Sequence, residues 1–196
     1  MLFACFMIDN PGTAEKRDEL RPIHRDYLGA SKDKLYLAGP LWNDARTKML
    51  GSLYVIEQPD KAATEAWLAE EPFAKNGLFG AQHVYGWDHL KGDREVKGDL
   101  TLYFHLDSPS APEKRARLKE QHVDYLTYFI DDLFAVGPLY NDSNKTEFED
   151  RIGSMFILDF PNRARADEWR AQEPYTRNDV YDRCWGYAYE NLWHGK

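Results

Sequence analysis

Two histidines, His24 and His122, occupy nearly the same setting twice: His24-Arg-Asp26-Tyr27-Leu28 and His122-Val-Asp124-Tyr125-Leu126, 98 residues apart. Imidazole, with an unperturbed pKa of about 6.5, takes or gives a proton near neutrality when a partner holds its second nitrogen. His24 falls four residues after Leu20 and four before Leu28, and His122 falls likewise between Leu118 and Leu126. That spacing puts each histidine on the apolar face of a helix, aimed at whatever the helix covers. Two readings are open at this point, a general base or a core histidine satisfied by one hydrogen bond. Asp26 and Asp124 lie off that face and read as surface charges.

Other chemistry-bearing residues recur with the histidines. Gly39-Pro40-Leu41-Trp42-Asn43-Asp44 returns 98 residues later as Gly137-Pro138-Leu139-Tyr140-Asn141-Asp142. Gly51-Ser52 and Glu71-Pro72-Phe73 return 102 residues later as Gly153-Ser154 and Glu173-Pro174-Tyr175, so the second copy carries a four-residue insertion between Asp142 and Gly153. A period near a hundred residues is too long for a solenoid repeat and suits one small domain, duplicated in tandem. The expected organisation is a first repeat at 1–90, a charged, glycine-containing linker at 91–98 and a second repeat at 99–196.

The elements that must position these residues follow from pattern. Leu2 to Ile8 is a short apolar run stopped by Asp9-Asn10-Pro11-Gly12, which predicts a buried strand and a turn; its copy is Leu100 to Leu106. Thr13 to Ser31 has helical spacing, with Pro22 predicting a kink or a broken first turn. Leu35 to Leu41 and Ser52 to Ile56 read as strands, Ala62 to Ala69 as a helix ended by Glu71-Pro72, and Gly77 to Trp87 as a closing strand. Strand, helix, strand, strand, helix, strand is the split βαβ, or ferredoxin-like, plan, with both helices on one sheet face. In a duplicated chain the two open faces can cover each other, giving an α+β fold of two ferredoxin-like repeats packed as a pseudo-twofold barrel within one polypeptide.

Composition narrows the function. The formal charge of −8, from 33 acidic and 25 basic residues, repels polyanions, and no basic stripe appears, so nucleic acid is not an expected partner. The apolar opening breaks at Asp9, too soon for a signal peptide or membrane span, and Cys5 and Cys184 occupy non-equivalent positions, unlike a duplicated disulfide framework. A cytoplasmic protein that does not engage membranes is expected. There is no His-Glu-x-x-His, no Cys-x-x-Cys, no Gly-rich phosphate loop and no Gly-x-Ser-x-Gly elbow. The expectation is therefore proton-transfer chemistry with no metal and no cofactor.

A helix histidine, Gly-Pro-Leu after the second strand, Gly-Ser at the third and an acidic-Pro-aromatic triplet after the second helix, all present twice, resemble the YCII (YciI-like) family, which is similar to dimeric α+β barrel proteins such as muconolactone isomerases. The resemblance implies a histidine-aspartate dyad and, in one relative, dehydrochlorination of a chlorinated hydroxyhydroquinone. The family triplet usually carries aspartate; here both copies carry glutamate, Glu71 and Glu173, one methylene longer. These glutamates become the candidates to orient the imidazoles, against a competing reading as solvent-facing turn residues.

The sequence thus predicts a cofactor-independent lyase or isomerase acting on a small aromatic catabolite or ring-fission product. His24 and His122 would serve as bases, and Glu71 and Glu173 as their orienters. Substrate-binding candidates are Tyr27, Tyr125, Gly39, Pro40, Trp42, Gly137, Pro138, Tyr140, Ser52, Ser154, Phe73 and Tyr175. The Gly-Pro pairs read as turn chemistry that leaves a gap for Trp42 and Tyr140 to roof. The alternative is a non-catalytic module binding a small molecule or a protein. His105, where the first repeat has Met7, reads as a surface strand residue rather than an extra proton carrier. The pseudo-dimer leaves strand edges through which chains can assemble further.

Overall fold

The computed structural model describes residues 1–90, 92, 95, 99–141 and 150–193. The first repeat runs β1 (Leu2–Asp9), α1 (Ala14–Ala30), β2 (Leu35–Trp42), β3 (Met49–Glu57), α2 (Lys61–Glu70), the one-turn α3 (Pro72–Lys75) and β4 (Phe79–Trp87). The second repeats it as β5 (Leu100–Asp107), α4 (Ala111–Tyr128), β6 (Leu133–Tyr140), β7 (Arg151–Leu158), α5 (Arg163–Gln172), α6 (Pro174–Arg177) and β8 (Tyr181–Tyr189). Helix α1 is continuous through Pro22, so the anticipated break is not seen. Most of the segment 91–98 and the insertion at 142–149 fall outside the described residues.

Each repeat forms a four-stranded antiparallel sheet, and the two sheets join in one closed barrel of order β1-β3-β2-β8-β5-β7-β6-β4. Within a repeat the ladders are long; between repeats they are short. The joints are Leu41↔Tyr189 with Trp42↔Ala188, and Gly86↔Tyr140 with Trp87↔Leu139.

The alternation of β1 and β5 explains the two layers of core, because successive strand side chains point to opposite faces. Ala4 and Phe6 face the barrel interior together with Leu102 and Phe104, and Phe6 stacks on Phe104 with centroids 4.5 Å apart. Phe104 is the copy of Phe6, so the pseudo-twofold axis passes through a self-pairing aromatic contact. Phe3, Cys5 and Met7 face the other way, beneath α1 and α2. The open sheet faces therefore cover one another, and the helices stand outside, each first helix over a sheet face where the functional candidates gather. No helix among the described residues is long and apolar enough to cross a membrane.

Candidate active site

The segment Glu-Pro-aromatic explains how a carboxylate comes to be buried. Glu71 ends α2 in an extended conformation (φ −64°, ψ 127°), and Pro72 then starts α3 at its first position, where the missing N–H costs nothing. Glu71 caps that turn: its Oε2 accepts from the backbone N–H of Ala74 at 3.0 Å. Its Oε1 lies 2.6 Å from His24 Nδ1. In the second repeat Glu173 accepts from Tyr175 N–H at 2.9 Å, from Thr176 N–H at 2.8 Å and from the Thr176 hydroxyl at 3.0 Å, and Glu173 Oε1 lies 2.6 Å from His122 Nδ1. Both glutamates are fully buried, so neither is a solvent-facing turn residue. Burial pushes the Glu173 carboxyl up, but the bond to His122 and the two backbone donors outweigh it and hold the group below its usual range.

Each histidine lies flat on the aromatic of the same triplet. His24 stacks on Phe73 at 4.0 Å and His122 on Tyr175 at 3.9 Å. With Nδ1 committed to the glutamate and the ring held by the stack, Nε2 is the nitrogen left to exchange protons. Each imidazole lines a cavity between the first helix and the sheet.

An arginine completes the frame. Arg17 forks onto Asp9 through Nε and Nη2 at 2.8 and 2.6 Å and donates to Ser52 Oγ at 3.3 Å. Arg115 does the same to Asp107 at 2.7 Å through both donors, and donates to Ser154 Oγ at 3.0 Å. Their guanidinium carbons stand 4.6 and 4.9 Å from the Phe73 and Tyr175 ring centres. The pair buries two opposite charges in the bidentate geometry that makes such burial tolerable. Sequence reasoning missed Arg17, Arg115, Asp9 and Asp107, although all four recur at the same 98-residue spacing as the histidines.

The roof comes from the other repeat. After β8 the chain runs along the free edge of β2, where Glu190 and Leu192 donate backbone N–H groups to Pro40 and Ala38 oxygens, and Leu192 and Trp193 close over the His24 cavity. After β4 the chain runs along β6 in the same way, Asp88 and Leu90 donating to Pro138 and Val136, and Leu90 closes over the His122 cavity. A Cβ on Gly39 would sit 1.8 Å from the Glu190 carbonyl oxygen, and one on Gly137 would sit 1.5 Å from that of Asp88. Gly39-Pro40 and Gly137-Pro138 are therefore strand interior and not turns. Glycine admits the crossing chain, and proline occupies the strand edge that pairs only through its carbonyl.

The chain matches the YCII-related domain over residues 1–88 and again over residues 100–184. It belongs to the YCII-related family. A protein of Haemophilus influenzae described as uncharacterized is 35% identical over 84 residues, covering 41% of this chain and 85% of its own length. A 5-chloro-2-hydroxyhydroquinone dehydrochlorinase from Burkholderia phenoliruptrix, solved with 2,5-dihydroxybenzoquinone, is 30% identical across 46% of this chain and 96% of its own, with a TM-score of 0.44. A mutant chlorite dismutase from Candidatus Nitrospira defluvii aligns over 96% of this chain and 90% of its own at 7% identity and a TM-score of 0.64, a likeness of fold alone.

Within the two YCII repeats, several anticipated contacts are corrected. Tyr27 and Tyr125 do not line the cavities; one helical turn past the histidines, their hydroxyls donate to the carbonyls of Trp67 and Trp169 at 2.7 and 2.9 Å. Trp42 and Tyr140 do not roof them either. Register shifts at Leu41/Trp42 and Leu139/Tyr140 carry these side chains to the inter-repeat joints, where Trp42 Nε1 donates to Glu190 at 3.2 Å and Tyr140 is buried against Arg151 and Asp88. Ser52, Ser154, Phe73, Tyr175 and both Gly-Pro pairs do line them. His105 is fully buried and not a surface residue; its ring lies 4.4 Å from that of Tyr181, and burial pushes its pKa down to about 3 against a weaker upward pull from Glu173. Among the described residues no three His, Cys, Asp or Glu side chains gather as a metal would require.

Proposed function

We propose that this YCII-related protein is a small-molecule-processing enzyme, a lyase or isomerase that works by proton transfer through histidine. One observation carries the reading: a histidine on a helix face bonded through Nδ1, at 2.6 Å, to a fully buried glutamate, and the same arrangement at the same distance in the other repeat. A buried carboxylate fixed by a backbone cap selects one tautomer, with the proton on Nδ1 and the lone pair on Nε2. Nε2 then removes a proton next to a carbonyl or phenol of the substrate. The glutamate offsets the positive charge that forms on the ring, and the collapse of the resulting anion expels a leaving group or moves a double bond. The stack on Phe73 or Tyr175 keeps the ring from turning away between cycles.

The substrate class, a small aromatic catabolite or a ring-fission product such as a lactone or a halogenated hydroquinone, rests on the family resemblance and on the apolar, aromatic-floored cavity. The test is a spectrophotometric turnover screen of hydroxyquinols, chlorohydroquinones and muconolactones on wild type, His24→Ala, His122→Ala, the double variant that combines them, Glu71→Gln and Glu173→Gln, with circular dichroism to confirm folding. Turnover that disappears in a folded histidine variant is the expected result. Turnover that survives in the double histidine variant, or saturable binding without turnover of any compound, would sink the proposal.

A further inference from the structure

The two cavities share a dyad but differ in their remaining walls. The space beside His24 measures about 430 Å³ and that beside His122 about 130 Å³. The first lies within the range usual for small-molecule sites and the second falls below it. The polar groups differ too. Tyr54 on β3 lines the first cavity and is buried to 1% exposure, and its hydroxyl, with Ser52 as a polar neighbour, makes no hydrogen bond of normal geometry. Burial, and then the charge of Glu71, push that phenol well above its ordinary range, so it remains a proton-bearing donor. In the second repeat this position is Phe156, and the hydroxyl has moved to β8: Tyr181, where the first repeat has Phe79, donates to Ser154 Oγ at 3.1 Å. The second site's hydroxyls therefore satisfy each other and Arg115, whereas the first keeps beside Ser52 a buried donor without a well-formed hydrogen bond. A buried hydroxyl without a well-formed hydrogen bond is a cost to the folded protein that a bound acceptor removes.

The charges at the mouth also differ. Arg17, Arg21 and Arg25 follow one another at four-residue spacing along α1 and all line the first cavity. Arg17 is matched by Asp9 and Arg21 by Asp18, while Arg25 forms no ion pair among the described residues. Val123 stands at the position of Arg25 in the second repeat, and the extra cation there, Arg151, contacts Tyr140.

We propose, building on the proton-transfer reading, that the first cavity alone takes the ligand, and that this ligand is a small planar acid, a phenolate or carboxylate on an unsaturated ring. One of its ring oxygens accepts from the Tyr54 hydroxyl, beside His24, whose ring centre is 6.0 Å from that of Tyr54. Its negative charge faces Arg25 at the mouth. The second repeat contributes the roof, Leu192 and Trp193, while its own site is closed on itself.

The experiment is a titration of the full chain with 2,5-dihydroxybenzoquinone, a planar anion at neutral pH, and with uncharged hydroquinone, followed by tryptophan fluorescence and calorimetry. Wild type should bind one anion per chain and prefer it to hydroquinone. Tyr54→Phe should weaken the anion about 10-fold, the value of one buried hydrogen bond. Arg25→Val should weaken the anion several-fold and leave hydroquinone unchanged, and Phe156→Tyr should change neither. Two equivalent sites per chain, no saturation at millimolar anion, or undiminished affinity in folded Tyr54→Phe would overturn the inference. One-site binding that needs Tyr54, without turnover of any compound, would retain this inference while rejecting the catalytic one.

Discussion

The two repeats hold the same histidine–glutamate frame around different cavities. His24–Glu71 and His122–Glu173 are each separated by 2.6 Å, and Arg17–Asp9–Ser52 has its counterpart in Arg115–Asp107–Ser154. The wall behind the frame has diverged in a concerted way: Met7, Tyr54 and Phe79 in the first repeat stand where His105, Phe156 and Tyr181 stand in the second. Deep burial makes these three exchanges interdependent, since a hydroxyl gained on β8 near Ser154 takes the place of one lost from β7. The comparison teaches that a duplicated backbone can keep a dyad for reasons of folding, because the glutamate caps a helical turn, while the cavity beside it is free to close. Preservation of His122 and Glu173 is therefore not a sign that the second site turns over.

The sharpest way to break that comparison is to remove each histidine separately. His24→Ala should lower kcat/KM by ~10²–10⁴-fold, the usual contribution of a positioned base, while His122→Ala should leave it within about a factor of three. Equal losses from the two would mean that the sites are not differentiated.

Next in size is the exchange of roofs. Gly39→Ala forces a Cβ against the Glu190 carbonyl, and Gly137→Ala forces one against that of Asp88. Each should cost ~3 kcal/mol or more, a fall of roughly 10 °C in Tm by calorimetry. Of the two, only Gly39→Ala should also raise KM, since it displaces Leu192 and Trp193 from the first cavity.

His105 offers a contrast in acid. Its folded pKa of about 3 lies below the ordinary 6.5, so the unfolded chain binds the extra proton and stability drains away as pH falls from 6.5 toward 3. His105→Met, which copies Met7, should flatten that part of the stability profile, measured by urea unfolding at pH 7 and pH 4. An unchanged slope would show that His105 is not held neutral.

The smallest effect belongs to Glu173. Its folded pKa is lowered, so its charged form stabilises the native state above the ordinary carboxylate value of 4.5, and that contribution is lost as pH falls through the folded value. Glu173→Gln should lower stability at neutral pH and remove the steepening below pH 4.5, read from the same unfolding curves. A wild-type acid limb in the variant would argue against it.

Much of the arrangement was legible from local pattern. The apolar run Leu2 to Ile8 reads as a buried strand, although a run apolar throughout leaves open which side chains face the barrel, and the four-residue spacing around His24 places the imidazole over the sheet. Glu71-Pro72 signals a helix end, although the one-turn helix that follows, and the capping that buries the carboxylate, depend on the sheet beneath. Tyr27 and Trp42 were misplaced for related reasons. A helical turn or a strand bulge redirects a side chain by tens of degrees, and sequence spacing does not register which neighbour it then meets. His105 was misread because a lone histidine in a strand has the same pattern on either face of an incompletely periodic run.

By itself, the sequence determined that there are two copies of a βαββαβ unit, that each carries a histidine on its first helix and a glutamate after its second, and that the open sheet faces must be covered. Those outcomes follow from short-range periodicity and from the cost of exposing apolar surface. Tertiary structure alone decided that residues 190–193 roof the first site and residues 88–90 the second, that Arg17 reaches from α1 to Ser52 on β3, and that the Tyr54 hydroxyl in the larger cavity makes no hydrogen bond of normal geometry. These contacts join residues as distant as Ala38 and Leu192. They are fixed by how two sheets close into a barrel, a geometry that no local run of residues encodes.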